Sequence, residues 1–392
     1  MFDQNALFSA STVNLEHITT ALNCLTPFGT KDDVLIIIDR DGLSFARQNN
    51  KVISIQLYLS AELFVSYSYN PPNNDPDAHH KVCVKIHHIL DSVSVASRDK
   101  DDIVECTFSY NGEGFPFILI FEDSVITEKV EYSTYLVKEW DSTGLELQAD
   151  AVTMECILRG EVFYNALQDM KEIGCKECYL YAIAGTDGRN LLALVSRSQL
   201  GLSKILLPSE KSILEKLEVF DSTSFERTFD QPVIGIFDFS TLDKIRSSVR
   251  IASKVLLRKD VHGLMSVNIL SQTDDFIYGN VKKSRHANKS GAAQLSKDYP
   301  GVVIDVAILE KARLDDSDLT DVRLLMDAGE RRQKPSYEPS NLRAGVSVER
   351  VVTHTPQQGG SLLFGGKNLS ADTTDAETEE YVPATNDIPL FF

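Results

Sequence analysis

Apolar and polar positions follow a pattern that occurs twice along this chain. Two segments carry apolar residues at helical spacing, at Val13, Leu15, Ile18, Ala21, Leu22 and Leu25 and again at Val162, Phe163, Ala166, Leu167 and Met170. Each predicted helix leads into an apolar strand, DVLIIID or ECYLYAIA, and then into an Asp-Gly dipeptide. A second strand follows both dipeptides, LSFARQ or NLLALVSR. The pattern therefore predicts a helix followed by a β-hairpin in each half of the chain.

The Asp-Gly dipeptides, Asp41-Gly42 and Asp187-Gly188, predict where each hairpin reverses. Asp-Gly favours a two-residue turn, because both central positions of that turn need positive φ. The same predicted hairpin occurs twice, at a separation of about the length of one small domain. This repeat indicates an internal duplication.

The second half of each unit repeats as well. A strand and a helix are predicted in KVCVKIHHILDSVSVA and in QPVIGIFDFSTLDKIRSSVRIA, with apolar helix faces at Ile89, Leu90, Val93 and Ala96 and at Leu242, Ile245, Val249 and Ala252. Hairpins follow both, with turns at Asn111-Gly112 and near His262-Gly263. Each unit thus contains two helices that cover one face of an antiparallel sheet, which predicts an α+β fold.

Shifts in composition predict the domain boundaries. The first domain covers residues 1–134, a connector covers 135–150 and the second domain covers 151–310, with GVVIDVAILE as its closing strand. A basic insertion splits the last hairpin and carries Lys282, Lys283, Arg285 and Lys289, which fit either a solvated loop or a contact with DNA or a loading factor. Residues 311–392 are polar, rich in Pro, Gly and Thr and without periodicity, and are predicted to be a disordered tail.

Composition narrows the function classes. The net charge of −18 argues against indiscriminate coating of nucleic acid, although a basic lining on an acidic body remains compatible with it. No signal peptide or membrane span is expected, so we predict an intracellular, soluble protein. Cys175 and Cys178 have C-x-x-C spacing, but a zinc site needs two more ligands and no second pair follows. We predict no metal and no cofactor.

The duplicated helix-and-sheet unit resembles the sliding-clamp (PCNA-like) fold. One stretch is narrower in what it matches: YNGEGFPFILIFED, residues 110–123, with KIHHILDSVSV upstream, is similar to the Rad-one-type subunit of the heterotrimeric checkpoint clamp, the nine-one-one ring. The resemblance covers roughly residues 1–310. It implies a non-catalytic nuclear subunit of a ring that encircles double-stranded DNA in the DNA damage checkpoint, meiotic checkpoint and repair. Its implied partners are two other clamp subunits and an ATP-driven clamp loader, with no membrane.

The resemblance places DNA on the helix side, where phosphate contacts need Lys or Arg. In STLDKIRSSVRIASK, the apolar face set by Leu242, Ile245 and Val249 leaves Lys244 and Arg250 pointing away from the sheet. Lys254 follows at the predicted helix end, and Arg246 flanks the apolar face. We predict these four residues as DNA contacts; an ordinary solvated helix face is the alternative.

Two further segments are candidates for partner docking. Trp140 in the connector is predicted to lie beside a groove for client peptides, or else to be a buried anchor. The chain ends in ATNDIPLFF, where Ile388, Phe391 and Phe392 are spaced like the peptide with which clients plug a clamp's outer pocket. Thr385 stands where that motif has Gln, so one polar contact of the motif is missing.

Two other functions fit parts of the sequence. Asp39, Asp41, Glu122 and Asp123 could bind a divalent metal, which would favour a metal-dependent 3′–5′ exonuclease. Aspartate is also common in turns for geometric reasons alone. A homotrimeric replication clamp is the second alternative, because the clamp architecture is shared by both kinds of ring.

Overall fold

The computed structural model describes residues 6–28, 33–49, 51–71, 79–96, 103–135, 145–198, 201–272, 300–311 and 317–330. The first half of the chain contains β1 (Phe8–Thr12), α1 (Leu15–Asn23), β2 (Asp33–Ile38), β3 (Gly42–Asn49), β4 (Ile53–Ser60), β5 (Ser66–Tyr69), β6 (His80–Lys85), α2 (Ile86–Ala96), β7 (Glu105–Tyr110), β8 (Phe117–Glu122) and β9 (Thr127–Tyr132). This order of helix, strands, helix and strands is the one predicted from the apolar pattern.

The second half repeats the same order. It contains β10 (Val152–Arg159), α3 (Gly160–Glu172), β11 (Glu177–Ile183), β12 (Leu191–Ser198), β13 (Gly201–Leu207), β14 (Leu214–Phe220), β15 (Arg227–Thr228), β16 (Val233–Asp238), α4 (Phe239–Leu242), α5 (Arg246–Arg250), β17 (Lys254–Asp260), β18 (Leu264–Gln272) and β19 (Pro300–Leu309), followed by α6 (Ser317–Glu330). Short 3₁₀ turns lie at Thr26–Phe28, Ala61–Leu63, Ala149–Ala151 and Asp243–Ile245.

The described strands form three antiparallel sheets. A five-stranded sheet has the order β5-β1-β7-β8-β9, a four-stranded sheet has the order β13-β12-β11-β16, and a ten-stranded sheet has the order β15-β14-β10-β17-β18-β19-β4-β3-β2-β6. The two halves meet where β19 pairs with β4, from Val302 opposite Leu59 to Ile308 opposite Ile53. Each half therefore has one sheet of its own and shares the third, while the predicted domain boundaries stay a prediction.

Helices α1 to α5 cover one face of these sheets, which we call the helix face. Ile18, Leu22, Ile89, Phe163 and Leu167 are buried there in one continuous core with the inward residues of the strands. Most of the predicted apolar positions on the helices are buried or half-buried, whereas Val13 is exposed just before α1 begins.

The hairpins are present, but the predicted turns with Asp-Gly at their centre are wrong. In the first hairpin, the Asp39 amide donates to the Gly42 carbonyl at 3.2 Å, so Arg40 and Asp41 form the tip. Neither Asp41 nor Gly42 has positive φ. Gly42 is needed for a different reason, because a Cβ there would lie 2.1 Å from the Leu59 carbonyl oxygen of the neighbouring strand.

The second hairpin has a longer connection than predicted. Ile183 pairs with Leu191, so seven residues join β11 to β12. Gly188 has φ of 80° within this connection, a conformation that favours glycine. The dipeptide therefore marks the reversal in both halves without setting the same turn.

The second helical segment of the second half is shorter than predicted. A 3₁₀ turn, Asp243–Ile245, separates α4 from α5. The helix then ends at Arg250, and Lys254 is the first residue of β17, not a residue at the helix end. The carboxylate of Asp238 accepts a hydrogen bond from the Thr241 amide at 3.2 Å, which fixes the start of α4.

Helix α6 lies within the residues predicted to be a disordered tail, and the prediction is wrong for this stretch. Val322, Leu325 and Met326 pack on Tyr179 and Ile236, on the face of the four-stranded sheet opposite the helix face. The four-stranded sheet is therefore covered on both faces.

Several predicted features lie outside the described residues. They are Trp140, the basic insertion with Lys282, Lys283, Arg285 and Lys289, and the terminal Ile388, Phe391 and Phe392. Within the described part of the chain, no helix is long and apolar enough to span a membrane.

Candidate nucleic-acid interface and docking groove

Two of the four predicted DNA contacts are available at the helix face. Leu242, Ile245 and Val249 are buried, so Lys244 and Arg250 point away from the core as the periodicity predicted. Lys244 is half-buried in the 3₁₀ turn and Arg250 is exposed at the end of α5. Neither side chain forms a hydrogen bond or ion pair with another described residue, so both charges are free to meet a phosphate.

The other two predicted cations have protein partners. The Lys254 ammonium donates to Oε2 of Glu215 on β14 at 3.0 Å. An ion pair on the protein surface is weak, so Lys254 could leave Glu215 to bind a phosphate. Arg246 donates through Nε to Asp243 at 2.6 Å and through Nη1 to Gln168 of α3 at 2.7 Å. Hydrogen bonding to Asp243 raises the pKa of Arg246. Arg246 therefore serves mainly to join the 3₁₀ turn to α3.

Sequence reasoning missed one cation beside this group. Arg159 is exposed at the end of β10, directly before α3, and pairs in register with Lys254 on β17. The close approach of Gly160 to the Ala252 carbonyl brings the start of α3 against the end of α5. Arg159, Arg250 and Lys254 thus lie at one end of the helix face. The sequence signal that could have identified Arg159 is its position at the boundary between a predicted strand and the helix that follows it.

A groove of about 450 Å³ crosses the ten-stranded sheet on the side opposite the helix face, and we call it the interdomain groove. Leu35, Ile37 and Ala46 line its first-half side, and Leu145 and Leu147 at the end of the connector close it. The connector starts beside the same surface, because Tyr135 forms a backbone bridge to Cys83 on β6. Residues 136–144 of the connector, with Trp140, lie outside the described residues, so the predicted course of the connector beside this groove stays a prediction.

The second-half side of the interdomain groove is polar. Arg258 Nη2 donates to Asn268 Oδ1 at 2.9 Å, and Asn268 Nδ2 in turn donates to Asp305. Desolvation raises the pKa of Asp305, against the opposing effects of Asn268 and Arg258. A bound peptide would meet aliphatic side chains on one side of this groove and hydrogen-bonding groups on the other.

The acids of the nuclease alternative have structural roles in their turns. Asp39 Oδ1 accepts hydrogen bonds from the amides of Asp41 and Gly42 at 2.8 and 2.9 Å. Asp123 Oδ1 accepts from Val125 and Ile126 in the β8–β9 turn, which lowers the pKa of Asp123. Among the described residues, no group of three His, Cys, Asp or Glu side chains is arranged to hold a metal ion.

The cysteine pair is a buried thiol pair. Cys175 and Cys178 are both free and both buried. The Cys178 thiol hydrogen-bonds the Cys175 sulfur, which lowers the pKa of Cys175 and raises that of Cys178. Cys175 also donates to the Glu177 carbonyl at 3.2 Å. These contacts fit the turn between α3 and β11.

Two long edge strands lie at the borders of the sheets. In the described part of the chain, β9 pairs only with β8, and β13 pairs only with β12. The opposite edge of the four-stranded sheet is partly covered, since Ile236 on β16 exchanges hydrogen bonds with Glu310 and Lys311. An edge strand exposes backbone groups that can pair with another chain. The five-stranded sheet thus presents β9 at the border opposite the short strand β5, and the four-stranded sheet presents β13.

Solved structures place this architecture in the sliding-clamp class. The chain is similar to a PCNA2–PCNA3 complex from Sulfolobus tokodaii, with a TM-score of 0.55 and 13% identity, and to the proliferating cellular nuclear antigen of Entamoeba histolytica, with a TM-score of 0.54 and 12% identity. In both comparisons, 78% of this chain covers 100% of the other. The predicted clamp fold is confirmed.

Sequence comparison then gives the family. Residues 7–271 match the family model described as repair protein Rad1/Rec1/Rad17. The chain is 53% identical over 398 residues to the DNA damage checkpoint control protein RAD17 of Saccharomyces cerevisiae, with 98% of each chain covered. It is 51% identical to the protein of the same description from Eremothecium gossypii, over 100% of both, and 25% identical to rad1 of Schizosaccharomyces pombe, over 67% of this chain and 81% of that one. This chain belongs to the Rad1/Rec1/Rad17 family, as the stretch at residues 110–123 predicted.

Proposed function

We propose that this chain is a non-catalytic subunit of a heterotrimeric ring that encircles double-stranded DNA and supports the DNA damage checkpoint and repair. The observation that carries the proposal is the shared ten-stranded sheet, which joins both duplicated halves with α1 to α5 on one side. Membership of the repair-protein family supports the checkpoint role. The chain would act in the nucleus, where an ATP-driven loader opens the ring.

The edge strands support ring closure through two different partners. An interface that joins unlike surfaces head to tail closes into a ring when the rotation permits it. Here β9 would pair with one neighbouring clamp subunit and β13 with the other. A homotrimer would instead join β9 to β13 of the next copy. Sizing separates the two, because a homotrimer has three times the 43.6 kDa of the chain, whereas a heterotrimer subunit stays near that mass until its partners are added.

The decisive test of the clamp is topological. The complex co-purified with its two partner subunits is loaded onto a nicked circular plasmid, and the plasmid is then cut once. A ring held by topology stays on the circle through a high-salt wash and is lost from the linear DNA. Equal retention on both forms would contradict the proposal.

A nuclease is the competing function, and a single experiment separates it from the clamp. The proposal expects no magnesium-dependent degradation of 3′-recessed DNA by the purified chain. The control variant Asp39→Ala/Asp41→Ala removes two of the candidate metal-binding carboxylates. It shows whether any trace of degradation comes from this protein or from a contaminating nuclease. Degradation that disappears in the variant would establish the enzyme instead.

We also propose that the interdomain groove binds client peptides and that Trp140 contributes to it. The apolar side formed by Leu35, Ile37 and Ala46 supports an aliphatic or aromatic plug. The tail residues Ile388, Phe391 and Phe392 are the corresponding plug for a clamp-type pocket, in this ring or in another. A fluorescent peptide of residues 381–392 tests this against a Phe391→Ala/Phe392→Ala control; equal binding of the two peptides would contradict it.

A further inference from the structure

Five exposed aliphatic side chains gather at one end of the five-stranded sheet, and we call this surface the apolar rim. Its members are Val13, Val65, Ile103, Val125 and Ile126, with 44, 68, 78, 85 and 62% of their surface exposed. Single exposed aliphatic residues are common on protein surfaces, but a contiguous group is typical of an interaction site.

Strand register places all five at the same end. Ser11 on β1 pairs with Ser66 on β5, and Thr12 pairs with Cys106 on β7, so Val13, Val65 and Ile103 extend beyond the same border. Glu122 at the end of β8 pairs with Thr127 at the start of β9, and Val125 and Ile126 lie in the four-residue turn between them. Strands lie about 4.8 Å apart, so the rim extends over roughly 15–20 Å.

Hydrogen bonds fix the turn that carries Val125, the most exposed residue of the rim. Asp123 Oδ1 accepts the amide hydrogens of Val125 and Ile126, each at 2.6 Å. The Asp123 amide donates to the Ile126 carbonyl at 3.0 Å and closes the turn. Both side chains are therefore presented to solvent without the entropy cost of ordering a loose loop on binding.

Carboxylates border the apolar rim. Glu105 and Glu122 lie directly opposite each other on β7 and β8, Glu128 lies on β9 and Glu62 precedes Val65. None of the four forms an ion pair with a cation in the described part of the chain. Like charges directly opposite in a sheet destabilise it. The pair at Glu105 and Glu122 is therefore retained at a cost to the fold.

We propose that the apolar rim is a docking surface for a basic, apolar segment of a partner protein. The aliphatic side chains would bury the apolar residues of that segment, and the surrounding carboxylates would pair with its Lys or Arg residues. Nucleic acid does not fit, because these carboxylates repel phosphates. The rim does not include the interdomain groove or the cations of the helix face, but it adjoins the start of edge strand β9, on which Glu128 lies. Binding of a peptide to the isolated chain is measured without ring assembly, so this proposal is tested independently of the clamp function.

The probe is a fluorescein-labelled peptide that contains two copies of Leu-Lys-Lys-Leu-Leu-Lys-Leu. The control peptide has Glu at every Lys position. Fluorescence anisotropy on the full chain should show binding of the Lys peptide only. Val125→Ser/Ile126→Ser should weaken it by about fivefold or more, since two buried aliphatic groups are removed. Glu105→Gln/Glu122→Gln should weaken it as well, with the larger effect at low salt.

Matched controls separate the rim from general attraction to an acidic protein. Val52→Ser/Leu309→Ser changes two exposed aliphatic residues on or beside the ten-stranded sheet, and Glu161→Gln/Glu210→Gln removes two exposed carboxylates elsewhere. Both control variants should bind like the wild type. The proposal is overturned if the wild type does not bind the Lys peptide, if the rim variants bind as well as the wild type, or if the controls weaken binding equally.

A thermal melt checks both folding and the charge argument. Glu105→Gln should melt at a higher temperature than the wild type, because it relieves the repulsion with Glu122 while weakening binding of the probe. A lower melting temperature would mean that Glu105 stabilises the fold, and the argument for a carboxylate kept for binding would fail.

Discussion

At the scale of single residues, Gly160 allows the start of α3 to lie against the end of α5 in the candidate DNA interface. It ends the run of β10 and begins α3, and its amide donates to the Ser253 carbonyl at 3.2 Å. A Cβ at this position would lie 2.1 Å from the Ala252 carbonyl oxygen and 2.7 Å from the Ala252 Cβ. The close approach holds Arg159 near Arg250 and Lys254.

Gly160→Ala should lower the free energy of unfolding by about 1–3 kcal/mol, because the backbone of α3 or of residue 252 must move. Urea unfolding measures the change. Glu161→Ala, at the next and exposed helix position, is the matched control and should unfold like the wild type. Equal stability of the two variants would contradict the close contact.

At the scale of elements, the segment from α4 to α5 carries Lys244 and Arg250, two of the predicted DNA contacts. Its apolar residues alone predict the orientation of Lys244 and Arg250 correctly, because a helical turn repeats about every 3.6 residues. The same reasoning could not show that Arg246 pairs with Asp243 and Gln168, since α3 comes from a distant part of the sequence.

Lys244→Glu/Arg250→Glu should weaken retention of the assembled ring on circular DNA without changing assembly. The slope of log affinity against log salt should also fall, by about 1 for each phosphate that is no longer bound. Arg189→Glu/Arg323→Glu reverses two exposed charges on a hairpin loop and on α6, and is the matched control. If the control reduces retention as much as the test variant, the effect comes from net charge and not from the helix face.

Helix α6 is the element that sequence reasoning missed, although two strands carried a signal for it. Strands β11 and β12 are apolar on both faces, with Tyr179, Tyr181 and Val195 on the side away from the main core. A strand with both faces apolar needs cover on both sides. The weak periodicity of α6 and its polar surroundings obscured the helix that provides that cover.

Val322→Asp should destabilise the four-stranded sheet and expose its apolar face, because it places a charge in the contact between α6 and the sheet. Leu324→Asp is the matched control, since Leu324 is 61% exposed and Val322 only 1%. Thermal melting and binding of a hydrophobic dye report the difference. Identical behaviour of the two variants would mean that α6 does not pack on this sheet in solution.

At the scale of the whole molecule, the ten-stranded sheet runs through both duplicated halves. Pairing of β19 with β4 continues the sheet across the boundary without a break in register. The two helical layers also meet, through the 3₁₀ turns Thr26–Phe28 and Asp243–Ile245. The stability of one half should therefore depend on the other half.

Ile55→Ala should therefore weaken both halves together. Ile55 is buried on β4 and pairs with Val306, so truncating it should cost about 2–5 kcal/mol. Hydrogen exchange should speed up in β7 of the first half and in β11 of the second. Ile103→Ala, at an exposed position, is the control. Faster exchange confined to the first half would show that the halves unfold independently.

The sequence by itself determined the duplication, the order of helices and strands, the face of each helix and the family. Those features depend on local periodicity and on a short characteristic stretch, both of which are written in consecutive residues. Only the tertiary structure decided that β19 joins β4, that Arg159 lies beside Lys254, that Arg246 is committed to a protein contact and that α6 covers a second face. These features depend on residues far apart in the chain, whose proximity exists only after the sheets have formed.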